Sequence, residues 1–178
     1  MRKLVVYELL SLDGVAESPD AFITEWDEVM DENLGRVIAS QDVVLLGRRT
    51  YDEWAEFWPR SEIEPFATFI NAVDKFVITS TTPRAAWNST TVVDGDLAEF
   101  VTALKRQAGG EIGVHGSIEL ARSLLAAALV DELRLVVAPS VQTEGRKLFD
   151  RGTPRRLSLT RSVTSPNGYL LLDYEVRN

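Results

Sequence analysis

The stretch from Glu111 to Pro139 constrains the fold of this 178-residue chain more than any other. Its first residues, Glu111 to His115, form a short apolar run after two glycines, which predicts a buried strand. After Gly116, apolar residues recur at helical spacing from Ile118 to about Val130, and a second apolar run follows from Leu133 to Ala138. The order of strand, glycine turn, helix and strand predicts one βαβ unit.

The turn at Gly116 is where such a unit can bind a ligand. Glycine lets the backbone approach a ligand closely, and the helix start presents unpaired N–H groups with a partial positive charge, which suits a phosphate. Ser117 has the right chemistry for an N-cap. The alternative is that Gly116 only makes the turn. A second strand, Asp42 to Leu46, also runs into a glycine, Gly47, followed by two arginines. Two turns suited to anions favour a phosphate-bearing cofactor.

Composition excludes several functional classes. The 45% hydrophobic and 26% charged content is ordinary for one globular domain, and the net charge of −8 disfavours a nucleic-acid partner. With no cysteine and one histidine, the chain lacks disulfides, thiolate sites and multi-histidine metal sites, and no G-x-S-x-G motif is present. No apolar run is long enough to span a membrane, and no signal peptide is recognised, so a cytoplasmic protein is expected.

The rest of the chain alternates strands and helices. An apolar strand, Lys3 to Leu10, ends in a turn at Ser11 to Gly14, where Asp13 either contacts a ligand or makes an Asx-turn. A helix is expected from Ser18 to about Ser40, and a loop around Phe57 to Pro65. Other strands are expected near Lys75 to Thr79 and Thr90 to Val93, with helices at Phe66 to Val73 and Leu97 to Gln107. The chain closes in a hairpin, Arg155 to Thr164 and Tyr169 to Val176, joined through Asn167-Gly168. We therefore predict an α/β fold of three layers, a mostly parallel sheet flanked by helices with an antiparallel hairpin at one edge.

Four motifs together resemble the dihydrofolate reductase superfamily. They are Ser11-Leu12-Asp13-Gly14 after the first strand, VVLLGRRTYDEW from Val43 to Trp54, KFVITST from Lys75 to Thr81, and GVHGSIELARSLL from Gly113 to Leu125. The closer similarity is to the branch that includes the reductase domain of riboflavin biosynthesis and many small reductases. The resemblance covers nearly the whole chain and implies a single domain, residues 1–178.

The resemblance implies NADPH, bound in extended form across the strand ends. In the family, the Gly-Arg-Arg-Thr turn lies at the cofactor's phosphates, the end of the third motif lies near the 2′-phosphate, and the fourth motif carries the pyrophosphate at its helix start. His115 is expected to shape this site, although a lone histidine in a strand is more often a hydrogen-bonded core residue. The implied cofactor-binding residues are Gly47, Arg48, Arg49, Thr50, Ser80, Thr81, Thr82, His115, Gly116, Ser117, Ile118 and Glu119.

The chain departs from the folate enzymes at three places. They usually have Gly-Gly, often with a cis peptide, where this chain has His115-Gly116, and a tyrosine where it has Leu120. Their buried folate-binding carboxylate falls in the region of Asp27 and Asp31. These departures disfavour classical folate reduction. Asp13 is the candidate catalytic residue, contacting the substrate or relaying a proton, and the expected substrate-binding residues are Leu12, Gly14, Asp31, Trp58 and Leu120.

The first functional hypothesis is an NADPH-dependent reductase that transfers hydride to a small heterocyclic, carbonyl or imine compound, similar to the 5-amino-6-(5-phosphoribosylamino)uracil reductase branch. The alternatives are a non-catalytic pyridine-nucleotide-binding module and a true dihydrofolate reductase. The apolar run Leu133 to Ala138 and the closing hairpin leave room for a homodimer, as in many relatives.

Overall fold

The computed structural model describes residues 1–177. Its strands are β1 (Leu4–Leu10), β2 (Gln41–Gly47), β3 (Asp74–Ile78), β4 (Thr90–Val93), β5 (Glu111–His115), β6 (Glu132–Val137), β7 (Leu157–Thr164) and β8 (Leu170–Val176). Its α-helices are α1 (Glu28–Ala39), α2 (Arg48–Phe57), α3 (Phe66–Ala72), α4 (Leu97–Arg106) and α5 (Ile118–Ala126). Two short 3-10 helices, Pro19–Ala21 and Trp58–Arg60, complete the described elements.

The strands form one sheet in the order β4-β3-β2-β5-β1-β6-β8-β7. The six strands from β4 to β6 are parallel, and β8 and β7 add an antiparallel hairpin at one edge. The predicted fold class is confirmed. Because β6 lies inside the sheet between β1 and β8, burial within this chain accounts for its apolar run.

Helices cover both faces of the sheet. The first core layer contains buried residues of α1, α2 and α3, such as Val37, Tyr51 and Ile70. The second core layer contains buried residues of α4 and α5, such as Leu104 and Leu124. The connection after β1 therefore runs over one face and the connection after β5 over the other. Neighbouring strands with connections on opposite faces leave a crevice at their carboxyl ends, where ligands of such sheets bind.

The expected helix from Ser18 to Ser40 is wrong in its first half, because α1 begins only at Glu28. Phe22 is buried in the first core layer. The hydroxyl of Tyr169 accepts hydrogen bonds from the backbone amides of Thr24 and Glu25 at 3.1 and 3.2 Å. These tertiary contacts hold the segment in a non-helical path, which local helical spacing cannot reveal.

Two other boundaries differ from the sequence prediction. The expected loop after Phe57 contains the 3-10 helix Trp58–Arg60. The helix after Gly116 ends at Ala126 rather than near Val130, because Ala128 adopts a φ of 57°. The amide of Leu129 there donates to the carbonyl of Leu124 at 3.0 Å, the pattern of a helix C-terminus.

No helix within residues 1–177 is long and apolar enough to cross a membrane.

Candidate functional site

The two glycine turns predicted to bind anions lie side by side. The backbone amide of Gly47 donates a hydrogen bond to the side-chain oxygen of Ser117 at 3.1 Å. The hydroxyl of Thr50, in the first turn of α2, donates to the carbonyl of Gly116, also at 3.1 Å. These two bonds join the starts of α2 and α5 at the carboxyl ends of β2 and β5. The structure thus brings together the two turns that the sequence separates by about 70 positions.

The starts of α2 and α5 lack a side-chain cap, unlike the starts of α1 and α4. Asp27 and Asp96 cap α1 and α4, each accepting a hydrogen bond from an amide in the first turn. Gly47 and Ser117 occupy the N-cap positions of α2 and α5 without such a bond. The expectation that Ser117 caps α5 is therefore wrong, because its hydroxyl is engaged by Gly47. The first-turn amides of α2 and α5 remain available to a ligand, and the helix dipoles favour an anion there.

Gly116 allows the backbone of this turn to lie close to the side chain of Trp54. Its φ is 59°, in the left-handed region, and a Cβ atom added to it would lie 3.0 Å from Cζ2 of Trp54. Within residues 1–177 the cis peptide bond is Glu64-Pro65, so the bond between His115 and Gly116 is trans, unlike the cis bond common in folate enzymes. Ile118 is buried, and Glu119 lies on the exposed side of α5, 2.8 Å from Arg122.

An arginine-lined cleft of about 560 Å³ opens beside the start of α2. Its lining residues are Arg48, Arg49, Asp52, Glu53, Thr81 and Arg84. The Arg48 side chain donates to Asp52 at 2.7 Å and to the hydroxyl of Thr81 at 2.5 Å. Arg49 is exposed and lies 3.3 Å from Glu53. The other residues predicted at this strand end, Ser80 and Thr82, are exposed on either side of Thr81.

Asp52 orients the cationic groups of this cleft. Burial alone would raise the pKa of Asp52, but hydrogen bonds from the Arg84 amide and the Arg48 side chain outweigh it and lower the pKa. The carboxylate therefore stays ionised and holds Arg48 beside Thr81. Three arginines against two acids leave the cleft with a net positive charge, which suits a phosphate.

Asp13 joins two loops at the end of β1. Its carboxylate accepts hydrogen bonds from the Ser11 hydroxyl at 2.6 Å and from the amides of Gln142 and Thr143 at 3.0 and 2.9 Å. The bond from Ser11, followed by the one from Gln142, holds the pKa of Asp13 well below its usual range. Asp13 is thus an ionised carboxylate with several donors around it, which fits the turn-making alternative. Its catalytic role stays a prediction.

The predicted substrate residues occupy different surroundings. In the turn after β1, Leu12 is 64% exposed and Gly14 has a φ of 85°. Leu120 is buried in the second core layer. Trp58 packs against Phe66, with ring centroids 4.8 Å apart. Their substrate contacts stay predictions.

The two acids in the region of the folate-binding carboxylate are both engaged near the start of α1. Asp31 is exposed and accepts a hydrogen bond from the Trp26 indole at 2.6 Å. Asp27 caps α1 and accepts from the amide of Asn167 at 3.3 Å. Neither is therefore a buried, unpartnered carboxylate of the kind that a folate enzyme presents to its substrate.

His115 lies in an aromatic and polar cluster beneath the crevice. It is 2% exposed, its Nε2 atom is 2.7 Å from Oε1 of Gln41, and its ring centroid is 5.5 Å from that of Tyr7 and 5.3 Å from that of Phe66. Burial lowers the pKa of His115 to about 3, so the imidazole is neutral. The hydroxyl of Tyr7, Nε2 of Gln41 and the indole nitrogen of Trp58 are buried without a hydrogen-bond partner in the described chain.

Glu8 is a candidate that the sequence prediction missed. It stands in β1, where a run of apolar residues masks the single acid. The residue is 3% exposed, and its Oε1 atom is buried without a hydrogen-bond partner among residues 1–177. Burial, the one cause of the shift, raises the pKa of Glu8 to about 8. The sequence feature that could have identified Glu8 is a lone acid within an apolar strand that is buried on both faces.

Comparison with solved structures shows the same fold in proteins of low sequence identity. The "Putative riboflavin biosynthesis protein" of Shewanella sp. PV-4 is 16% identical, with a TM-score of 0.80 and 99% of each chain covered. The diaminohydroxyphosphoribosylaminopyrimidine deaminase/5-amino-6-(5-phosphoribosylamino)uracil reductase of Thermotoga maritima is 13% identical, with a TM-score of 0.67. That match covers 99% of this chain and 57% of the Thermotoga chain.

The sequence comparisons agree with the structural ones. The uncharacterized protein YyaP of Bacillus subtilis (strain 168) is 27% identical over 154 residues, covering 83% of this chain and 80% of YyaP. The family model described as RibD C-terminal domain matches residues 2–171. A match of this extent covers all the elements that build the site, including both glycine turns and the arginine-lined cleft. The chain therefore belongs to the RibD C-terminal domain family, within the dihydrofolate reductase-like fold.

Proposed function

We propose that this protein is an NADPH-dependent reductase that transfers hydride to a small heterocyclic, carbonyl or imine compound. Its family supports a reductase-like function. The observation that carries the proposal is the pair of adjoining, uncapped helix starts of α2 and α5, next to an arginine-lined cleft. A dinucleotide with a pyrophosphate and a further phosphate matches two neighbouring anion sites.

The residues fit the two phosphate-bearing parts of such a cofactor. The first-turn amides after Ser117, together with the Gly116 turn, would hold the pyrophosphate. Glycine keeps this space open, because a side chain at position 116 would occupy the space next to Trp54. Arg48 and Thr81, already bonded to each other, would hold the 2′-phosphate that distinguishes NADPH from NADH. When bound, the cofactor supplies the hydride, while the protein orients the reactants and excludes water.

The test is a titration of the protein with NADPH and with NADH, followed by tryptophan fluorescence. Trp54 lies next to the Gly116 turn and is expected to report binding there. We expect NADPH to bind more tightly than NADH. Replacing both arginines (Arg48→Ala with Arg49→Ala) is expected to weaken NADPH binding, roughly 10- to 150-fold for each charge-assisted hydrogen bond to phosphate that the variant cannot make. The matched control is Arg106→Ala, on the exposed surface of α4, which should bind normally.

A second step separates a reductase from a binding module. NADPH oxidation is measured with a panel of small carbonyl, imine and heterocyclic acceptors, including dihydrofolate. Turnover of an acceptor supports the proposal, whereas tight binding without turnover of any acceptor favours a non-catalytic nucleotide-binding module. If neither nucleotide binds to the folded wild-type protein, the proposal is wrong.

A further inference from the structure

Glu8 lies where the sheet opens beside the Gly116 turn. Pairing between β1 and β5 ends at Tyr7 and His115, whereas pairing between β1 and β6 continues to Leu10. Beyond Tyr7, towards the carboxyl end of β1, Glu8 is therefore the first residue that has a strand neighbour on one side only. This opening is part of the crevice at the carboxyl ends of the strands, where ligands of such sheets bind.

The side chain of Glu8 belongs to the α5 side of the sheet. Strand residues alternate between faces, and its neighbours Val6 and Leu10 are both in the second core layer. Its register partner on β6, Leu135, is in the same layer, as are Ile118 and Leu120 of α5. Glu8 thus shares its layer with the helix whose start is proposed to bind the pyrophosphate.

Within residues 1–177, no charged group compensates the Glu8 carboxyl. Its neighbours Val6 and Leu10 on β1 and its register partner Leu135 on β6 are apolar, and its buried Oε1 atom has no hydrogen-bond partner. The charged residues of α5, Glu119 and Arg122, bond to each other at 2.8 Å, and Arg122 also pairs with Asp150. Burial is the one cause of the raised Glu8 pKa, so no neighbouring charge contributes to it.

A buried carboxyl without a partner is costly for the fold, and an apolar side chain of similar size would avoid that cost. Such a group in a crevice is a candidate for ligand contact. Glu8 faces the α5 side of the sheet, where the pyrophosphate is proposed to bind. The part of the nucleotide that would reach Glu8 is therefore the end that extends from the pyrophosphate into the sheet. In a pyridine nucleotide that end is the nicotinamide ring, which is neutral when reduced and cationic when oxidised.

We propose that Glu8 contacts the nicotinamide ring and balances its charge, as a neutral carboxyl beside the reduced ring and as a carboxylate beside the oxidised ring. This inference depends on the proposed function. No covalent bond forms or breaks between Glu8 and the nucleotide. One proton leaves the carboxyl for the solvent when the oxidised nucleotide binds, and the carboxyl keeps its proton when the reduced nucleotide binds. The buried crevice then remains electrically neutral in both complexes, which avoids an uncompensated buried charge.

The test compares binding of NADP⁺ and NADPH by isothermal titration calorimetry from pH 6 to pH 9, in two buffers that differ in ionisation enthalpy. Wild-type protein should release close to one proton on binding NADP⁺ at pH 7, and its NADP⁺ affinity should rise up to tenfold per pH unit below about pH 8. NADPH binding should release no proton and vary little with pH. Glu8→Gln should abolish the proton release and the steep pH dependence for NADP⁺, and its NADPH affinity should vary as little with pH as that of the wild type.

A second measurement needs no nucleotide. Because the folded protein holds the pKa of Glu8 above that of the unfolded chain, wild-type stability should fall relative to Glu8→Gln as the pH rises from about 4.5 to about 8. The matched control is Glu175→Gln, an exposed strand glutamate on β8, which should behave as wild type in both measurements.

The outcomes separate this inference from the proposed function. If the wild type binds both nucleotides but NADP⁺ binding releases no proton, or Glu8→Gln shows the same pH dependence as wild type, the inference is wrong and the reductase proposal stands. If the wild type binds neither nucleotide, both fall. The inference is supported if NADP⁺ binding releases a proton in the wild type and in Glu175→Gln but not in Glu8→Gln.

Discussion

The side-chain oxygen of Ser117 accepts a hydrogen bond from the backbone amide of Gly47 at 3.1 Å, and this bond joins the two helix starts of the site. Ser117 is 3% exposed, so water cannot easily replace the hydroxyl. A side chain that would ordinarily cap its own helix instead satisfies an amide at the start of another. The first turn of α5 is consequently open, and its distance from α2 is fixed.

Ser117→Ala should lower both stability and nucleotide affinity. The variant removes the acceptor of the partly buried Gly47 amide, and the lost hydrogen bond costs about 0.5–1.5 kcal/mol of unfolding free energy. It also loosens the spacing of the two helix starts, so NADPH affinity should fall several-fold. Urea unfolding and a fluorescence titration measure the two effects. Ser123→Ala, an exposed serine on the same helix, is the control and should change neither.

Gly116→Ala should weaken nucleotide binding more than it destabilises the fold. A non-glycine residue in the left-handed region costs about 1–2 kcal/mol, and its Cβ atom would lie 3.0 Å from Trp54. Displacing Trp54 changes the wall of the turn where the pyrophosphate is proposed to lie. NADPH affinity should therefore fall at least tenfold in a titration of the folded variant, and unchanged affinity would remove the turn from the site.

Gly35→Ala is the matched control for that substitution. Gly35 lies inside α1, has no positive φ, and an added Cβ atom would meet nothing within 4 Å. Alanine should therefore stabilise the protein by up to about 1 kcal/mol through helix propensity and leave NADPH binding unchanged. A loss of affinity in this control would show that the assay responds to helix stability and not to the turn.

The sequence predicted the local parts of this site better than their relations. Glycine at a strand end, followed by a helical repeat, indicated both anion turns, because that chemistry is encoded within a few residues. Two sets of hydrogen bonds join residues that are far apart in the chain, and local patterns therefore do not reveal them. One links Ser117 to Gly47, and the other links Tyr169 to Thr24 and Glu25. The second of these relations also explains why the predicted helix is too long at its start.

The two acids of β1 and its turn show a different limit. Asp13 stood out because it follows the strand in a turn motif, yet its carboxylate is occupied by the Ser11 hydroxyl and two amides. Glu8 did not stand out, because a run of apolar residues still predicts a buried strand when one residue in it is polar. Distinguishing an engaged acid from an unpartnered one requires the hydrogen bonds of the folded chain.

Asp13→Asn should slow turnover more than it weakens NADPH binding, without moving the pH profile between pH 5 and pH 9. The pKa of Asp13 lies well below its usual range, so the group is ionised throughout that interval. The slower rate is expected because the amide cannot accept from all three donors, which loosens the turn at the end of β1. Steady-state kinetics across pH provide the measurement, and Asp20→Asn, an exposed neighbour in sequence, is the control.

A rate equal to wild type would remove Asp13 from catalysis and leave it a structural link between loops. A pH profile that loses an acidic limb in Asp13→Asn would contradict the hydrogen bonds that keep the carboxylate ionised.

His115 should remain neutral in the folded protein and make the acid side of the stability curve steeper. Burial lowers its pKa to about 3, whereas an unfolded histidine gains a proton below about pH 6.5. The unfolded state therefore binds more protons between these values, and stability should fall as the pH drops through them, by up to a tenfold change in the unfolding equilibrium constant per pH unit. His115→Gln lacks this proton and should show a shallower decline in urea unfolding from pH 6.5 to pH 4.

Because the chain has one histidine, nitrogen-15 NMR of the imidazole reports on this residue alone. The spectrum should show a single neutral tautomer from pH 8 down to pH 5, with the proton on Nε2, where Gln41 offers its side-chain oxygen at 2.7 Å. Gln41→Leu is the matched variant, since it removes the acceptor and should mix the tautomers without changing the rings packed around His115. A titration with a midpoint near pH 6.5 in the folded wild type would show that water reaches the imidazole, and His115 would then be a group able to exchange protons with a bound substrate.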